Sequence, residues 1–549
     1  MTTGVAALRA LRAQRKRNRL GDVEWFDAAY KVYVAALFGG IALLWLSDLV
    51  GDKPVSAAQA ADVLRHGPAA VGMVAIVALV VGLRSGSQGG PLALEAADVT
   101  YVMLAPVDRR AALLRPAVQR LRSAAFAGAV VGGSFGQLAG RRLPGSALAW
   151  FGSGALFGLI VGLAWVGGAL VAHTAQLPQL LTSIIGVVLV AWQAAAIGSG
   201  VPGPGNLAGS LAMWGWRQRG IDVVAIAVSI ALVVVGLALV GRTSLDALAR
   251  RSSLVAQLRF AVTMQDLRTV VLLRRQLSYE HTRAKPWVRL RPRGTANVVW
   301  RRGWHSLFRL PLGRLIRMAA LVVAAAACQV SALNGTTPLV VVTAVLTFVL
   351  GLEVMEPLSQ EVDQPDRTES FPIERGRLML EHLAAPAVAL VPFTIIGAAA
   401  AVVLEMRHSN APTLGGAIAV VAILALPTVF TGAAGAVINI VRDAPDPMAS
   451  NSQQSFMPPE MAGFSTVLRT LVPLIVSIIG ALSILIVRSA SRVQGPSAVV
   501  PAAIRSAVAC TLVVAGVAAW VRHRDAMRAK FRAFMNEGRT VTQQQRSSR

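Results

Sequence analysis

The chain has 549 residues, of which 55% are apolar and only 15% charged, with a mean hydropathy of +0.59. Soluble domains carry about 25% charged residues, so this composition excludes an ordinary soluble globule and points to an integral membrane protein. The net charge of +26, nearly all of it arginine, fits cytoplasmic loops that obey the positive-inside rule and not a nucleic-acid surface, because the chain is so apolar.

In chain order, a basic arm (Arg9, Arg12, Arg15, Lys16, Arg17, Arg19) over 1–31 precedes the first long apolar run. No apolar core follows the arm at signal-peptide distance, so it reads as cytoplasmic. A spanning helix needs about 20 apolar residues. On that scale twelve spans are expected, at 32–50, 68–84, 123–139, 146–171, 178–198, 221–241, 316–333, 337–356, 383–405, 413–441, 466–487 and 499–521. The chain thus divides into a first six-span bundle (32–241), a basic linker (242–315), a second six-span bundle (316–521) and a basic tail (522–549). With both termini inside, most Lys and Arg fall on the cytoplasmic side. Arg141, Arg142, Arg217 and Arg219 then land outside, which a shifted third span or an interfacial helix near Trp214 and Trp216 would explain.

In the linker, 252–278 reads as a helix with Phe260, Met264, Leu267 and Val271 in one stripe. Further on, Trp300, Trp304 and Phe308 recur at i, i+4 and i+8 among Arg301, Arg302 and Arg309, the composition of a helix lying in the membrane interface.

The most informative stretch is 91–110 (PLALEAADVTYVMLAPVDRR) with its echo at 357–376 (PLSQEVDQPDRTESFPIERG), 266 positions later. Pro91, Leu92, Glu95, Pro106, Asp108 and Arg109 meet Pro357, Leu358, Glu361, Pro372, Glu374 and Arg375 without a gap. A polar pattern repeated in two apolar contexts indicates a duplicated, parallel six-plus-six all-α membrane unit. Pro91 suits a first helical position, with Leu92, Ala96, Val99 and Met103 along one side of a short cytoplasmic helix. Asp108 suits the cap of the next helix. Such a loop is shaped to sit in another protein's groove.

Elsewhere, the third span carries Gly128, Gly132, Gly136 and Gly140 on one face and the fourth carries Gly154, Gly158 and Gly162, small-residue faces that let helices pack closely or slide against a neighbour. Gln193 and Arg505 are the clearest polar residues within spans, and no acidic residue stands out at mid-span. The chain has no phosphate-binding G-x-x-x-x-G-K-[ST] loop and no H-E-x-x-H, and its seven histidines are scattered, His173 at a span end among them. Cys328 and Cys510 sit in apolar segments without metal-ligand spacing.

This layout, through loop position and the PVDR/PIER echo, resembles the permeases of the ABC-2 type exporter superfamily, including fused twelve-span bacterial forms. The resemblance implies a transport subunit of the bacterial cytoplasmic membrane, not itself an enzyme and binding no cofactor or nucleic acid. A separate ATPase would hydrolyse ATP and dock on the loops 91–110 and 357–376, and a hydrophobic or amphipathic drug or lipid would be the substrate. The second loop is far more acidic than the first. An alternative is a secondary transporter similar to the major facilitator superfamily, echoed by Asp108, Arg109 and Arg110, although its loop between spans two and three is normally tight. A membrane-embedded transferase lacks an acidic or histidine cluster to carry its chemistry.

Overall fold

Apolar runs long enough to cross a bilayer fold as helices, because each backbone amide must find its partner within the segment once water is gone. In the computed structural model the described residues are 55–92, 94, 98–103, 105, 107–263, 273, 283–289, 298–362, 373–406, 414–442 and 459–547, with scattered positions before 55. Most of them are helical and none is in a strand. Contacts divide the chain into two units, Met1–Thr263 with Thr269–Tyr279, and Met264–Arg268 with Glu280–Arg549.

The first unit contains α1 (Ala57–Ser87), α2 (Arg109–Ala139), α3 (Ala147–Thr174), α4 (Gln179–Ser199), α5 (Asn206–Ala212), α6 (Val223–Ala238) and α7 (Leu245–Thr263). The second contains α8 (Val298–Leu307), α9 (Leu312–Leu333), α10 (Leu339–Val354), α11 (Glu356–Val362), α12 (Arg375–Met406), α13 (Leu414–Val441), α14 (Pro459–Gln494) and α15 (Val499–Ser547). Among the described residues nine helices are long and apolar enough to span a membrane. α10 qualifies only together with α11, from which it is bent by 63°. α2 is not among the nine: its first half carries Arg109, Arg110, Arg115, Arg120 and Arg122, so only its second half matches the expected third span. Most of the expected first span and of the 260–271 stripe lies outside the described residues.

Apolar side chains such as Val187, Val228, Ile395, Val508 and Leu512 point outward from their own unit. A lipid-facing surface has this character, and the chain is a membrane-embedded protein.

Helix ends recur along the chain. α2 and α12 begin 266 positions apart, while α1 and α10 end 267 apart. The 28-residue α3 and α13 also begin and end 267 apart.

The glycine stripes lie between α2 and α3. A Cβ at Gly128 would fall on the Gly158 carbonyl oxygen, one at Gly132 on that of Gly154, and one at Gly136 on that of Trp150. Only glycine admits this backbone contact, so the two helices pack as the spacing expects.

Gln193 is fully buried within the first unit. Its amide donates to the Ala69 carbonyl (2.7 Å) and to Asn206 Oδ1 (3.0 Å), and its carbonyl accepts from the Gly205 amide (2.7 Å). It therefore holds the entry to α5. Beyond α5, Asp222 is buried and accepts from Ser210 Oγ (2.7 Å) and Trp214 Nε1 (2.8 Å). The described helix nearest Trp214 and Trp216 is α5, which ends just before them, and Arg217 and Arg219 are exposed. Arg505 is exposed too.

Candidate functional site

Each unit carries one of the two echoing loops, built by its own surroundings. In the first unit α1 stops at Ser87, and Gly89 (φ +122°) and Gly90 (φ +79°) take left-handed conformations that side chains avoid. A Cβ at Gly90 would strike the ring of His173, which is buried and donates from Nδ1 to the Gly86 carbonyl (3.2 Å). His173 is therefore a packed anchor at the end of α3.

The next two residues, Pro91 and Leu92, are buried and not helical. This corrects the expectation of a helix starting at Pro91. The helical turn comes later, at Asp98–Val102, closed by the Met103 amide on the Asp98 carbonyl (3.1 Å). Leu92, Met103, Leu113 and Leu248 share one core. The Leu94 amide donates to Ser252 Oγ of α7 (3.0 Å), so α7 holds the loop from below. Burial and the neighbouring Arg120 push the Arg251 guanidinium, one residue before Ser252, down to about 10. Val99 is buried while Tyr101 is 77% exposed.

At the loop's end Asp108 caps α2 as expected. Its Oδ1 accepts from the Arg110 amide (3.1 Å) and its Oδ2 from the Ala111 amide (3.2 Å). Asp108 and Arg109 are exposed. Glu95 and Pro106 lie outside the described residues.

In the second unit the chain bends at Met355 and continues as α11. Pro357, Leu358 and Val362 are buried, the last two in the core that also holds Leu307, Val354 and Met379. Glu361, fully buried, pairs with Arg302 of α8 (2.9 Å) and lies 3.6 Å from His382 Nε2 of α12. Glu374 is exposed, Arg375 half-buried at the first turn of α12, and Pro372 lies outside the described residues. Of the residues expected to meet a partner, Pro91, Leu92, Pro357, Leu358 and Glu361 are thus buried within their own units as internal anchors. Asp108, Arg109 and Glu374 face outward, with Arg375 at the margin.

Beside α11 lies an ionic cluster that the sequence reading does not contain. Arg314 of α9, only 4% exposed, reaches Glu353 Oε2 (2.8 Å), the Glu353 carbonyl (2.6 Å) and the Glu356 carboxylate. Arg317 adds a second contact to Glu353 (3.0 Å). Gln360 donates to Glu356 (3.2 Å) and accepts from Ser306 of α8 (3.4 Å). Three guanidiniums, including Arg302, thus offset three carboxylates, and α8, α9, α10, α11 and α12 meet at one polar knot. Burying ions costs several kcal/mol each unless they are paired and hydrogen-bonded, and here the pairing is dense.

The spacing alone holds only part of this signal. Arg314 and Arg317 lie i, i+3 at the start of one helix; Glu353 lies at the end of the next and Glu356, three residues on, opens α11 across the bend. The short connection between α9 and α10 makes them an antiparallel hairpin, which brings those ends together. Among the described residues Asp222, Glu353, Glu361 and Glu405 are all buried, and they lie near helix ends and not at mid-span. Among the described residues no cluster of His, Cys, Asp or Glu could hold a metal ion.

The model of a family of unknown function (DUF6297) matches residues 61–446, well over half of the chain, and the chain belongs to that family. No curated protein and no solved structure matches it.

Proposed function

We propose that this member of the DUF6297 family is the membrane subunit of an ATP-driven exporter of the ABC-2 type, built as two parallel six-span halves. A separate ATPase docks on the ends of its two loops from the cytoplasm and hydrolyses the ATP. The cargo is a hydrophobic or amphipathic drug or lipid, and the exporter works in the bacterial cytoplasmic membrane with both termini inside.

The observation that carries this reading is the recurrence of the loop in both sequence and structure. Each loop follows a helix end, tucks a Pro-Leu pair into its own unit, and delivers an acidic residue and an arginine to the start of a long helix, 266 positions apart. An internal anchor with an exposed charged tip suits transmission of force from a partner. In the second unit the anchor is stiffest, because Glu361 and Glu356 tie α11 to α8 and α9.

Arg109→Glu with Arg375→Glu tests the docking. Both positions lie in the first turn of a helix, where a carboxylate is favoured by the helix dipole, so the fold should lose no more than about 0.5 kcal/mol. Losing one partner of a desolvated interfacial pair costs roughly 2–5 kcal/mol, a drop of about 30-fold or more in affinity. The double variant should insert normally yet bind its ATPase at least 30-fold more weakly, with each single variant in between. Unchanged binding and transport would make the loops mere connectors.

A second reading, a secondary transporter, gains from the buried Asp222, Glu353 and Glu361, since carboxylates inside membrane proteins mark proton and ion relays. Dense pairing of Glu353 and Glu361 with arginine favours a structural role for those two.

A further inference from the structure

We infer that the segment 283–289, together with the C-terminal end of α8, forms a headgroup site for an anionic phospholipid of the surrounding bilayer. The segment is a built feature. The Arg283 amide donates to the Arg309 carbonyl (2.9 Å), the Trp287 amide to that of Phe308 (2.9 Å), and Trp287 Nε1 to that of Leu310 (2.9 Å). The Arg283 guanidinium lies 3.5 Å from the centre of the Trp287 ring, a cation–π contact that fixes the charge in place. Phe308, whose carbonyl the Trp287 amide holds, ends a series in which Trp300, Trp304 and Phe308 pack with ring centres 5.7 and 5.2 Å apart.

The outward face combines Arg283, Lys285, Arg289 and Arg309 with the exposed Trp287 and Val288. Between 281 and 310 the sequence has eight basic residues and no acidic one, so this stretch carries a strong positive charge of its own. Its position names the occupant. Pro311 leads straight into the spanning helix α9, whose Leu312 and Ile316 are exposed apolar residues in its first two turns. A ligand seated here meets arginines and tryptophan at one end and an apolar helix face below, as a phospholipid does with its phosphate and acyl chains. Guanidiniums match phosphate oxygens in a fork, and a net negative headgroup is favoured over a zwitterionic one by each added basic charge.

The test uses the full-length purified chain in detergent, titrated with phosphatidylglycerol or phosphatidylcholine and followed by native mass spectrometry. Phosphatidylglycerol should bind at least tenfold more tightly. The triple variant Arg283→Gln, Lys285→Gln, Arg289→Gln should lose that preference, since each surface charge is worth about fivefold. Trp287→Ala should weaken binding of both lipids. Arg217→Gln with Arg219→Gln, which removes exposed charge from the other unit, should keep the preference intact. Equal affinity for the two lipids, or a preference that survives the triple variant, would overturn the inference. So would protection from thermal unfolding by inorganic phosphate equal to that by phosphatidylglycerol, because the site would then take a free anion.

Discussion

Arg314→Ala should destabilise the second unit by about 3–5 kcal/mol, the largest loss expected from any single change in the described ionic cluster. The side chain is nearly buried and contacts Glu353 through both its carboxylate and its backbone carbonyl, and Glu356 besides. Alanine would leave two carboxylates beside one remaining arginine, Arg317, at the junction of α9, α10 and α11. Lysine keeps the charge but cannot reach three acceptors at once, so Arg314→Lys should recover only part of the loss. Replacing the group together, as Arg314→Met with Glu353→Gln and Glu356→Gln, should restore most of it, because the cost lies in the unpaired charge. Thermal unfolding of the purified chain in detergent reads all three variants. A single alanine variant within 1 kcal/mol of the parent would mean that water already screens these charges.

Gly132→Leu should force α2 and α3 apart. The added Cβ alone would overlap the Gly154 carbonyl oxygen and crowd the Gly158 backbone, neither of which is a flexible side-chain end. Overpacking of this kind costs about 1–3 kcal/mol even where side chains can yield, so a loss at or above the top of that range is expected here. Gly152→Leu is the matched control, on α3 with nothing within 4 Å of its Cβ position; it should be neutral or mildly stabilising, as glycine is a poor helix former. Cysteine pairs placed across α2 and α3 should cross-link in the parent and the control but not in Gly132→Leu. Equal cross-linking in all three would show that the glycine contact is dispensable.

Much of this fold is legible along the chain because its elements are long and uniformly apolar. The run 146–171 becomes α3 at Ala147–Thr174, and 413–441 becomes α13 at Leu414–Val441. Asp108 is legible as a cap because the rule is local: a short carboxylate before a helix satisfies its free amides. The glycine stripes are legible because four-residue spacing alone puts them on one face. The ionic knot is not, since a tally of charges by loop assigns Arg314 to one segment and Glu353 to another, and only the fold of the α9–α10 hairpin joins them. Leu92 and Leu358 mislead for a related reason. Amphipathic spacing says that one side of a loop is apolar, but not whether a partner or the loop's own unit covers it; here it is the unit.

The most direct test of the proposed exporter is the energy source of transport in inverted membrane vesicles containing the chain and the partner ATPase proposed for it, loaded from outside with a hydrophobic fluorescent substrate. Uptake should require hydrolysable ATP, continue after an ionophore collapses the proton gradient, and fall to background with the Arg109→Glu, Arg375→Glu chain. Uptake that stops when the gradient collapses while ATP is still present, or that proceeds at full rate without the ATPase, would contradict the exporter and favour a secondary transporter.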